Sequence, residues 1–457
     1  MSLGLSTIIL AAGQGTRMRS NLPKVLQPMA GRPLLAHVID CASALGADDV
    51  CVVYGHGGET VRSAFPDPRL RWALQADQLG TGHAVQQAMP DTPDDHRVLV
   101  LFGDVPLLTT RTCRRLVETT PDDEVAVLTV DMEDPTGYGR IVRDGDRVTR
   151  IVEHKDASAE EQAIHEINTG VLLCPADNLK RWLDNLSNDN AQGEYYLTDV
   201  VAMAVADGVA VRGVKADTWT EVMGINDKKQ LAEAERALQA RLVDELMTQG
   251  VGFADPARVD IRGSLTCGRD VFIDVNAVFE GDVELGDGVR IESNNVVRDS
   301  KLGAGTVLHP NCHLEDATTG DDCEIGPFAR MRPGAVLANN VKIGNFVEVK
   351  KSVIADGSKV NHLTYIGDTE IGTGGNVGAG TITCNYDGAN KYKTTIGDGA
   401  FIGSGVMLVA PVNIGAGSTI GAGSTISKDV ADNQLALERS RQKTVPGWKR
   451  PTKKEAK

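Results

Sequence analysis

A repeat of six residues runs through the second half of the chain and limits what that half can fold into. From about residue 267, branched apolar residues recur at every sixth position, and Gly frequently follows them. A fixed hexapeptide period is typical of a solenoid in which each hexad forms one flat face of a three-sided coil. The apolar residues are then expected to fill the interior. They are Ile273, Phe279, Leu285, Ile291, Val297, Ile325, Met331, Leu337, Ile343, Val349, Ile396, Ile402, Leu408, Ile414, Ile420 and Ile426.

Small shifts in this repeat do not end it. The phase slips by one residue from 297 to 302, from 349 to 354 and from 366 to 371, and the six-residue period then returns. Because coils stack at the spacing of neighbouring strands, the period predicts a prism of about eight or nine coils. The segment TCNYDGANKYKTT, residues 383–395, breaks the period, so it is predicted to leave the prism as a loop.

The segment 1–226 has a different pattern, in which short apolar strands alternate with amphipathic helices. Strands such as STIILAAG, DVCVVYG and RVLVLFGDVPLL are continuous runs of Val, Ile and Leu, which is typical of a mostly parallel sheet covered on both faces. Residues 227–249 are rich in helix-forming residues and predict a connecting helix that stops at Gly250. We therefore expect an α/β domain in 1–226, a helical linker in 227–249 and a β-helix with a basic tail in 250–457.

Composition and charge exclude several classes of function. The formal net charge of −15 argues against general binding to nucleic acid or to an anionic membrane. The first residues have no basic segment, and their apolar run breaks at Gly13, so neither a secretory signal nor a membrane anchor is expected. The eight cysteines form no CxxC pair, which predicts reduced thiols in a cytoplasmic protein.

A glycine-rich turn follows the first predicted strand, in LAAGQGTRMRSNLPK. Gly13 and Gly15 allow the backbone to approach a phosphate, and Arg17 and Lys24 supply positive charge. The spacing is neither GxGxxG nor GxxxxGK[ST], so it belongs to neither of those common nucleotide-binding loops. In a mostly parallel sheet, ligands bind at the carboxyl ends of the strands, and this turn is predicted to lie there.

Two further residues, Asp104 and Asn226, are candidates for a role near that edge of the sheet. Asp104 ends the apolar strand LVLFGD, where it either satisfies a turn or holds Mg²⁺ against a triphosphate. Asn226, in GINDKKQLAEAE, is placed to cap the helix that follows, and the residues alone favour this role.

Several larger polar side chains interrupt the small residues of the hexapeptide repeat at roughly coil intervals. On neighbouring coils they can line one edge of the prism. His362 alone would be a solvated side chain, but with these neighbours it predicts a general base for acyl transfer from a thioester to an amine. Glu348 is expected to orient the His362 ring, and Arg332 and Lys350 to bind a sugar phosphate. The set is Arg332, Glu348, Lys350, His362, Tyr365 and Asn376.

The motif Gly-x-Gly-Thr-Arg-Met, followed by Pro23 and Lys24, resembles the nucleotide-sugar pyrophosphorylases, and QADQLGTGHA, TGYGRIVR, IVEHKD and EINTGV extend the resemblance. It implies that Asp104 and Asn226 hold Mg²⁺ while Arg17 and Lys24 balance charge as pyrophosphate leaves. Relatives often carry Tyr in place of Phe102. Because its ring has no hydroxyl, Phe102 can contact nucleotide only through its backbone or ring face. The residues implied to bind UTP or the nucleotide sugar are Leu10, Ala11, Ala12, Gly13, Lys24, Gln75, Gly80, Thr81, Phe102, Gly103, Asp104, Gly139, Glu153, Asn168 and Asn226.

Taken over nearly the whole chain, the two halves resemble the family of bacterial bifunctional N-acetylglucosamine-1-phosphate uridyltransferases and glucosamine-1-phosphate acetyltransferases. The resemblance implies a Rossmann-like nucleotidyltransferase domain, a left-handed parallel β-helix, a homotrimer, and synthesis of UDP-N-acetylglucosamine for peptidoglycan and lipopolysaccharide. Its implied substrates are glucosamine 1-phosphate, acetyl-CoA, UTP and N-acetylglucosamine 1-phosphate. His362 is the implied base, and Arg332, Lys350, Tyr365 and Asn376 the implied amino-sugar ligands. Acetyl-CoA is implied to contact Ala379, Asn385, Tyr386, Lys391, Ser404, Ala422 and Arg439.

Two other classes of function stay open at this point. The chain would be a pyrophosphorylase alone if the prism served only for regulation or oligomerisation, because hexapeptide prisms also occur without activity. It would be a scaffold if neither half were catalytic. The basic tail after Arg439 is either a solvated end or a contact for coenzyme phosphates.

Overall fold

The computed structural model describes residues 3–13, 15–55 and 57–453, and the chain divides into two compact units, Met1–Arg241 and Leu242–Lys457. The strands of the first unit are β1 (Gly4–Ala11), β2 (Pro28–Met29), β3 (Arg32–Pro33), β4 (Asp49–Tyr54), β5 (Leu70–Leu74), β6 (His96–Phe102), β7 (Val125–Asp131), β8 (Arg140–Asp144), β9 (Arg147–Val152), β10 (Glu166–Pro175) and β11 (Val211–Lys215). The α-helices are α1 (Leu34–Ala44), α2 (Gly58–Ser63), α3 (Thr81–Ala88), α4 (Thr110–Thr119), α5 (Ala159–Gln162), α6 (Ala176–Leu183), α7 (Asp199–Ala206) and α8 (Lys228–Thr248). Short 3₁₀ helices span Thr16–Met18, Lys24–Leu26, Met89–Asp91, Thr220–Val222 and Pro256–Arg258.

The main sheet of the first unit has the order β11-β7-β10-β6-β1-β4-β5, and β8 and β9 extend it beside β10. Strands β6, β1, β4 and β5 run parallel, as do β11 and β7, whereas β10 lies antiparallel between β6 and β7. Alternate residues of β1 enter different cores: Ile8 and Leu10 pack with residues of α3, α6 and α7, while Ile9 and Ala11 pack with residues of α1 and α4. The predicted Rossmann-like α/β fold with a mostly parallel sheet is confirmed.

Helix α8 begins after a capping residue that differs from the predicted one. The Oδ1 atom of Asp227 accepts hydrogen bonds from the backbone N–H groups of Lys229 and Gln230, at 2.9 Å each. The prediction that Asn226 caps this helix is therefore wrong, because the carboxylate next to it already satisfies the free N–H groups of the first turn. The boundary between the compact units falls inside α8, after Arg241, so the division into 1–226, 227–249 and 250–457 stays a prediction.

The second unit is a left-handed parallel β-helix of three-stranded coils. Eleven described strands form one face: Gly252–Phe253, Phe272–Ile273, Arg290–Ile291, Val307–Leu308, Glu324–Ile325, Lys342–Asn345, Lys359–His362, Asn376–Val377, Phe401–Ile402, Thr419–Ile420 and Leu435–Ala436. The other two faces consist of Val259–Cys267, Ala277–Leu285, Val296–Arg298, Lys301–Leu302, His313–Glu315, Ala317–Thr319, Arg330–Met331, Ala335–Leu337, Glu348–Lys350, Ser352–Ile354, Tyr365–Gly367, Thr369–Ile371, Ile382–Cys384, Thr394–Ile396, Met407–Val409, Val412–Ile414 and Thr425–Ile426.

Every predicted interior residue of the hexapeptide series is buried, the least so being Ile426 at 6% exposed. The estimate of eight or nine coils is too low, because eleven strands stack on the first face of the described β-helix. The missed coils lie at the ends, where Gly252–Phe253 and Leu435–Ala436 are outside the regular hexads. Each phase slip shortens a coil, since the step between paired residues is smaller from Ile343 to Val360 than from Ile325 to Ile343.

All eight cysteines lie in the described part of the chain and are free, as predicted. Within the same residues, no helix combines the length and the apolar character that crossing a membrane requires.

Candidate active sites

A cavity of about 280 Å³ lies at the carboxyl ends of β1 and β6. These ends meet because Leu10 pairs with Phe102, and the Gly103 N–H donates to the Leu10 carbonyl at 2.9 Å. The glycine-rich turn and the Gly103-Asp104 segment therefore line the same opening. The predicted nucleotide ligands in its wall are Leu10, Ala11, Ala12, Gly13, Lys24, Gln75, Gly80, Thr81, Phe102 and Asp104.

The Lys24 ammonium joins two oxygen donors at the edge of this first cavity. It forms an ion pair with Asp104 and donates to the Asn226 Oδ1 atom at 3.2 Å. Both Lys24 and Asp104 are largely buried, and the backbone N–H of Ile225 donates to the Asp104 carbonyl at 2.9 Å. The two predicted metal ligands thus converge on one cation although they lie far apart in sequence.

A second cavity of about 240 Å³ adjoins the first, and Thr81 and Phe102 line both. It contains the three predicted sugar ligands Gly139, Glu153 and Asn168. Burial raises the pKa of Glu153, although the Thr198 hydroxyl donates to its Oε1 atom at 3.2 Å. Two adjoining cavities of this kind can hold a nucleotide and a sugar side by side.

The wall between the two cavities depends on a glycine. Gly170 has a φ of 89°, and a Cβ atom there would lie 2.5 Å from the Phe102 ring. The Asn168 Oδ1 atom accepts from the Gly170 N–H at 3.0 Å and so holds this turn. Phe102 therefore packs against backbone and lines both cavities.

Arg17 lies outside the first cavity, whereas Gln75 lies in its wall with its amide nitrogen already hydrogen-bonded. Arg17 is exposed on the 3₁₀ helix Thr16–Met18 and is not among the residues lining the first cavity. Gln75 is buried, and its Nε2 atom donates to the Gly80 carbonyl at 3.0 Å and contacts the His83 ring at 3.2 Å. The amide nitrogen of Gln75 is thus already engaged in shaping the loop at Gly80.

A cluster of charged side chains lies on one face of the β-helix. The Arg332 Nη1 atom donates to the Glu348 Oε1 atom at 2.7 Å, and Glu348 is in register with Tyr365 on the next coil. The nearby ammonium of Lys391 lowers the pKa of Lys350. The structure thus brings together Arg332, Lys350 and Tyr365, predicted to bind the amino-sugar phosphate, and Lys391, predicted to bind the acyl donor.

His362 makes a hydrogen bond that was not predicted. Its Nδ1 atom lies 2.7 Å from the Asn345 Oδ1 atom, and these residues are in register on neighbouring coils. Glu348, which was expected to orient this ring, is paired with Arg332 instead. That expectation is wrong because Glu348 and His362 lie on strands of different faces of the β-helix, with Glu348 in register with Tyr365 and Asn345 in register with His362.

The segment that interrupts the repeat leaves the prism as a short hairpin, as predicted. Tyr386 forms a bridge with Lys391, and the Asp387 carboxylate accepts from the N–H groups of Ala389 and Asn390. Asn385 is buried, and its side chain donates to Asp368.

A separate column carries the other predicted acetyl-CoA ligands. Ala379, Ser404 and Ala422 recur at one corner of successive coils. The backbone N–H of the residue that follows Ser404 donates to the Ala379 carbonyl, and the N–H of the residue that follows Ala422 donates to the Ser404 carbonyl. Arg439 follows at the end of this column, beside Gly423. Asn376 lies on the strand before the same corner, in register with Lys359.

Both halves match known families. Residues 7–177 match the MobA-like NTP transferase domain, and residues 316–351 and 393–428 match the bacterial transferase hexapeptide family of six repeats. The protein named Bifunctional protein GlmU of Aromatoleum aromaticum is 59% identical over 453 residues, which cover 99% of this chain and 100% of that protein. The chain belongs to the GlmU family. Proteins of the same name from Azoarcus sp. and Herminiimonas arsenicoxydans are each 56% identical and cover 98% of this chain.

As a member of the GlmU family, the chain is a bifunctional enzyme with a nucleotidyltransferase domain and a hexapeptide transferase domain. This finding argues against the pyrophosphorylase with an inert prism and against the scaffold. The family does not by itself assign a role to each residue, and those roles are argued from the geometry of the two sites.

Sequence reasoning missed several residues of these GlmU-family sites. Gln78 donates to the Ala12 carbonyl and lines the first cavity together with Glu194. Tyr138 lines the second cavity and packs edge-on against Trp219 at 5.3 Å between ring centroids. Gln78 and Tyr138 lie inside the motifs QADQLGTGHA and TGYGRIVR, which therefore carried a signal for them, whereas no quoted motif contains Glu194. Asn345 could have been found by counting one shortened coil back from His362.

Proposed function

We propose that the two sites carry out consecutive reactions on an amino sugar. The β-helix transfers the acetyl group of acetyl-CoA to glucosamine 1-phosphate, and the N-terminal unit then transfers UMP from UTP to N-acetylglucosamine 1-phosphate. The products of the second step are UDP-N-acetylglucosamine and pyrophosphate, for peptidoglycan and lipopolysaccharide synthesis. The observation that carries the proposal is the pair of adjoining cavities with Lys24, Asp104 and Asn226 at their edge, in a chain whose second unit is a β-helix that exposes the His362 imidazole.

In the N-terminal unit, UTP would occupy the first cavity and the sugar the second. An oxygen of the sugar phosphate attacks the α-phosphorus in line, and the bond to pyrophosphate breaks as the new bond forms. Positioning and charge neutralisation supply most of the acceleration, so no side-chain nucleophile is needed. The Lys24 ammonium lies at the strand ends, beside Asp104, where it would neutralise charge on the phosphates. Arg17 is exposed and would have to approach the phosphates from its turn.

The oxygen donors at this edge suit a magnesium ion. Asp104 and Asn226 offer a carboxylate and an amide oxygen that already share one cation, the Lys24 ammonium. The described residues contain no group of three or more His, Cys, Asp or Glu side chains arranged to hold a metal. Two protein oxygens are the usual arrangement for Mg²⁺, which takes its remaining ligands from phosphates and water. When bound, the ion would neutralise the charge of the triphosphate.

In the β-helix, His362 would accept the proton of the sugar amine as its nitrogen attacks the thioester carbonyl, and CoA would leave as the thiol. Arg332, Lys350 and Tyr365 would bind the sugar phosphate, with Asn376 beside them. The Ser404 hydroxyl would donate to the oxyanion. Glu348 would hold Arg332 in place, as their ion pair indicates.

A homotrimer is part of the proposal, because this acetyltransferase site is open. Phe328, Phe346 and Leu363 occupy equivalent corners of successive coils, each with positive φ, and are 49%, 55% and 61% exposed. The two Phe rings stack with centroids 5.2 Å apart. An exposed apolar strip next to His362 supports a neighbouring chain packing there and completing the site.

A coupled assay with the full chain tests the proposal. With glucosamine 1-phosphate, acetyl-CoA, UTP and Mg²⁺ present, we expect CoA and pyrophosphate both to be released. Omitting acetyl-CoA should stop both, and adding N-acetylglucosamine 1-phosphate should then restore pyrophosphate alone. Release of neither product from the complete mixture would contradict the proposal.

A further inference from the structure

The contact between Asn345 and His362 joins two side chains at the ends of neighbouring strands. Asn345 closes the strand Lys342–Asn345, and His362 closes the strand Lys359–His362 directly above it. The Asn345 Oδ1 atom and the His362 Nδ1 atom are 2.7 Å apart, within the ordinary range for a hydrogen bond. The backbone supports the same alignment, since the Leu363 N–H donates to the Asn345 carbonyl at 3.0 Å.

A glycine next to Asn345 allows the two coils to approach this closely. A Cβ atom on Gly344 would lie 1.9 Å from the Asn361 carbonyl oxygen, a distance that no side chain tolerates. His362 is also held from its other side, because the Thr364 hydroxyl donates to its carbonyl at 2.6 Å. The backbone on both sides of the hydrogen bond is therefore fixed, and the imidazole is exposed while Asn345 is half-buried.

We propose that Asn345 is a positioning residue that selects the tautomer of His362. The inference rests on the proposed acetyl transfer. An amide oxygen can only accept, so it fixes the proton of the neutral imidazole on Nδ1. The lone pair then lies on Nε2, the nitrogen directed away from Asn345, where it can accept the proton of the attacking amine. In the step itself, the amine nitrogen forms a bond to the thioester carbonyl carbon and its proton moves to Nε2; the carbon–sulfur bond then breaks, and the departing CoA thiolate takes that proton from Nε2.

Because Asn345 is an amide and carries no charge, it also affects the pH range in which His362 can act as a base. A neutral partner orients the ring without attracting positive charge to it, whereas a carboxylate at this position would favour the imidazolium. Ionisable groups on the strands packed around His362 are Lys342, which is paired with Glu324, Lys359 on the same strand, Tyr365 on the following strand and Glu348 beneath Tyr365. Glu348 is already paired with Arg332, so it does not supply a carboxylate to the ring.

Two substitutions in the full chain separate orientation from charge. In Asn345→Ala the tautomer is no longer selected, and we expect kcat for acetyl transfer to fall about 10-fold with KM for both substrates almost unchanged. In Asn345→Asp the acceptor is kept but charged. We expect the acidic limb of the kcat/KM profile to move upward by about one pH unit, with activity near the wild-type value on the alkaline side.

A matched control lies on another face of the same β-helix. Asn413 also makes a side-chain hydrogen bond, to Asp429, but is remote in register from His362. Asn413→Ala should leave the acetyl-transfer rate and its pH profile unchanged. Thermal unfolding of all three variants shows whether any loss comes from the fold, since a purely structural role would not move the pH profile of Asn345→Asp.

The outcomes distinguish this inference from the proposed function. If the wild-type chain shows no acetyl transfer, the proposed function fails, and if His362→Ala retains acetyl transfer, the base role of His362 fails and the positioning role with it. If His362→Ala is inactive while both Asn345 variants keep the wild-type rate and pH profile, only the positioning role is overturned. The ¹⁵N chemical shifts of the His362 ring provide a direct measurement, in which Nδ1 should be the protonated nitrogen of the neutral form, and the opposite assignment also overturns the inference.

Discussion

The two candidate sites are built in opposite ways. In the N-terminal unit, the first cavity collects residues from segments as distant in sequence as Leu10, Gln75 and Glu194, and it encloses them at the ends of parallel strands. On the β-helix, Asn345 and His362, like Glu348 and Tyr365, are separated by a single coil, and they lie on an open surface. The N-terminal site is a cavity formed by distant segments of the chain, and the β-helix site is a set of side chains on the surfaces of stacked coils.

This difference decides how each site responds to change. A cavity made from many segments depends on the whole sheet and its helices, and its ligands are held by burial. A stacked site depends on the register of two or three coils, and it needs a covering surface to exclude water. Substitutions that affect one reaction and spare the other are therefore the most direct tests of the comparison.

The largest expected effect is on the stacked site. His362→Ala should lower acetyl transfer by about 10²- to 10⁴-fold, because it removes the general base. Uridylyl transfer to added N-acetylglucosamine 1-phosphate should stay at the wild-type rate. CoA and pyrophosphate release are followed separately, and His309→Ala, which removes an imidazole that contacts Glu292, serves as the control. Loss of both activities in His362→Ala would contradict two independent sites.

The enclosed site should show the reverse lesion. Asp104→Asn removes the carboxylate that pairs with Lys24, and we expect pyrophosphate release to fall about 10²- to 10³-fold while acetyl transfer is unchanged. The control is Asp217→Asn, which breaks ion pairs of Arg111 and Arg115 on the surface of the same unit. Exposed pairs contribute about 0–1 kcal/mol, so this control should keep both rates. Equal losses in the two variants would remove the special role of Asp104.

A smaller effect should follow from forcing two coils apart. Gly344→Ala places a methyl group against the Asn361 carbonyl, and we expect a loss of about 1–3 kcal/mol in unfolding free energy, with weakened acetyl transfer. Gly421→Ala is the control, since its nearest neighbour is the exposed Leu437 side chain at 3.0 Å. Denaturant unfolding measures the loss. A Gly344→Ala variant as stable as the control would show that close stacking does not hold this site.

The smallest effect concerns a charge buried in the second cavity. Burial raises the pKa of Glu153, so the folded state binds this proton more tightly than the unfolded state. The stability that the protonated group contributes is present below the ordinary Glu pKa of about 4.3 and is lost as pH rises through the raised value. Glu153→Gln should therefore become more stable than wild type as pH increases, whereas the exposed Glu160→Gln should not. Thermal midpoints across this pH range test the sign, and a constant difference would contradict it.

The sequence predicted the interior of the β-helix better than its surface. A period of six identifies every buried residue of the series without knowledge of how coils align, because inward positions repeat regardless of coil length. Side-chain neighbours on the outside depend on the length of each coil, which every phase slip changes. The period also does not show which outward side chains share a face: Glu348 was assigned to His362, although it lies on a different face and Asn345 is the neighbour of His362 in register.

In the N-terminal unit, the contiguous motifs were the predictable part. The turn after β1 and the residue pair ending β6 are each short segments, and the parallel sheet brings them to one edge. Glu194 reaches the first cavity through tertiary packing, since the Gly82 N–H donates to the carbonyl of the neighbouring Tyr195. Asn226 and Asp227 were confused because both residue types cap helices, and only the position of the first helical turn distinguishes them.

The unequal coils of the β-helix also indicate where its length can change. The chain from Val377 to its partner Ile402 is much longer than the chain from Val360 to its partner Val377, so one coil has absorbed an insertion at a corner without disturbing the strands above and below. Adding or deleting a residue inside a strand would instead exchange inward and outward side chains. Corners of this domain are thus its natural sites for inserting peptides, and whole coils, rather than single residues, are the units by which the prism can be lengthened or shortened.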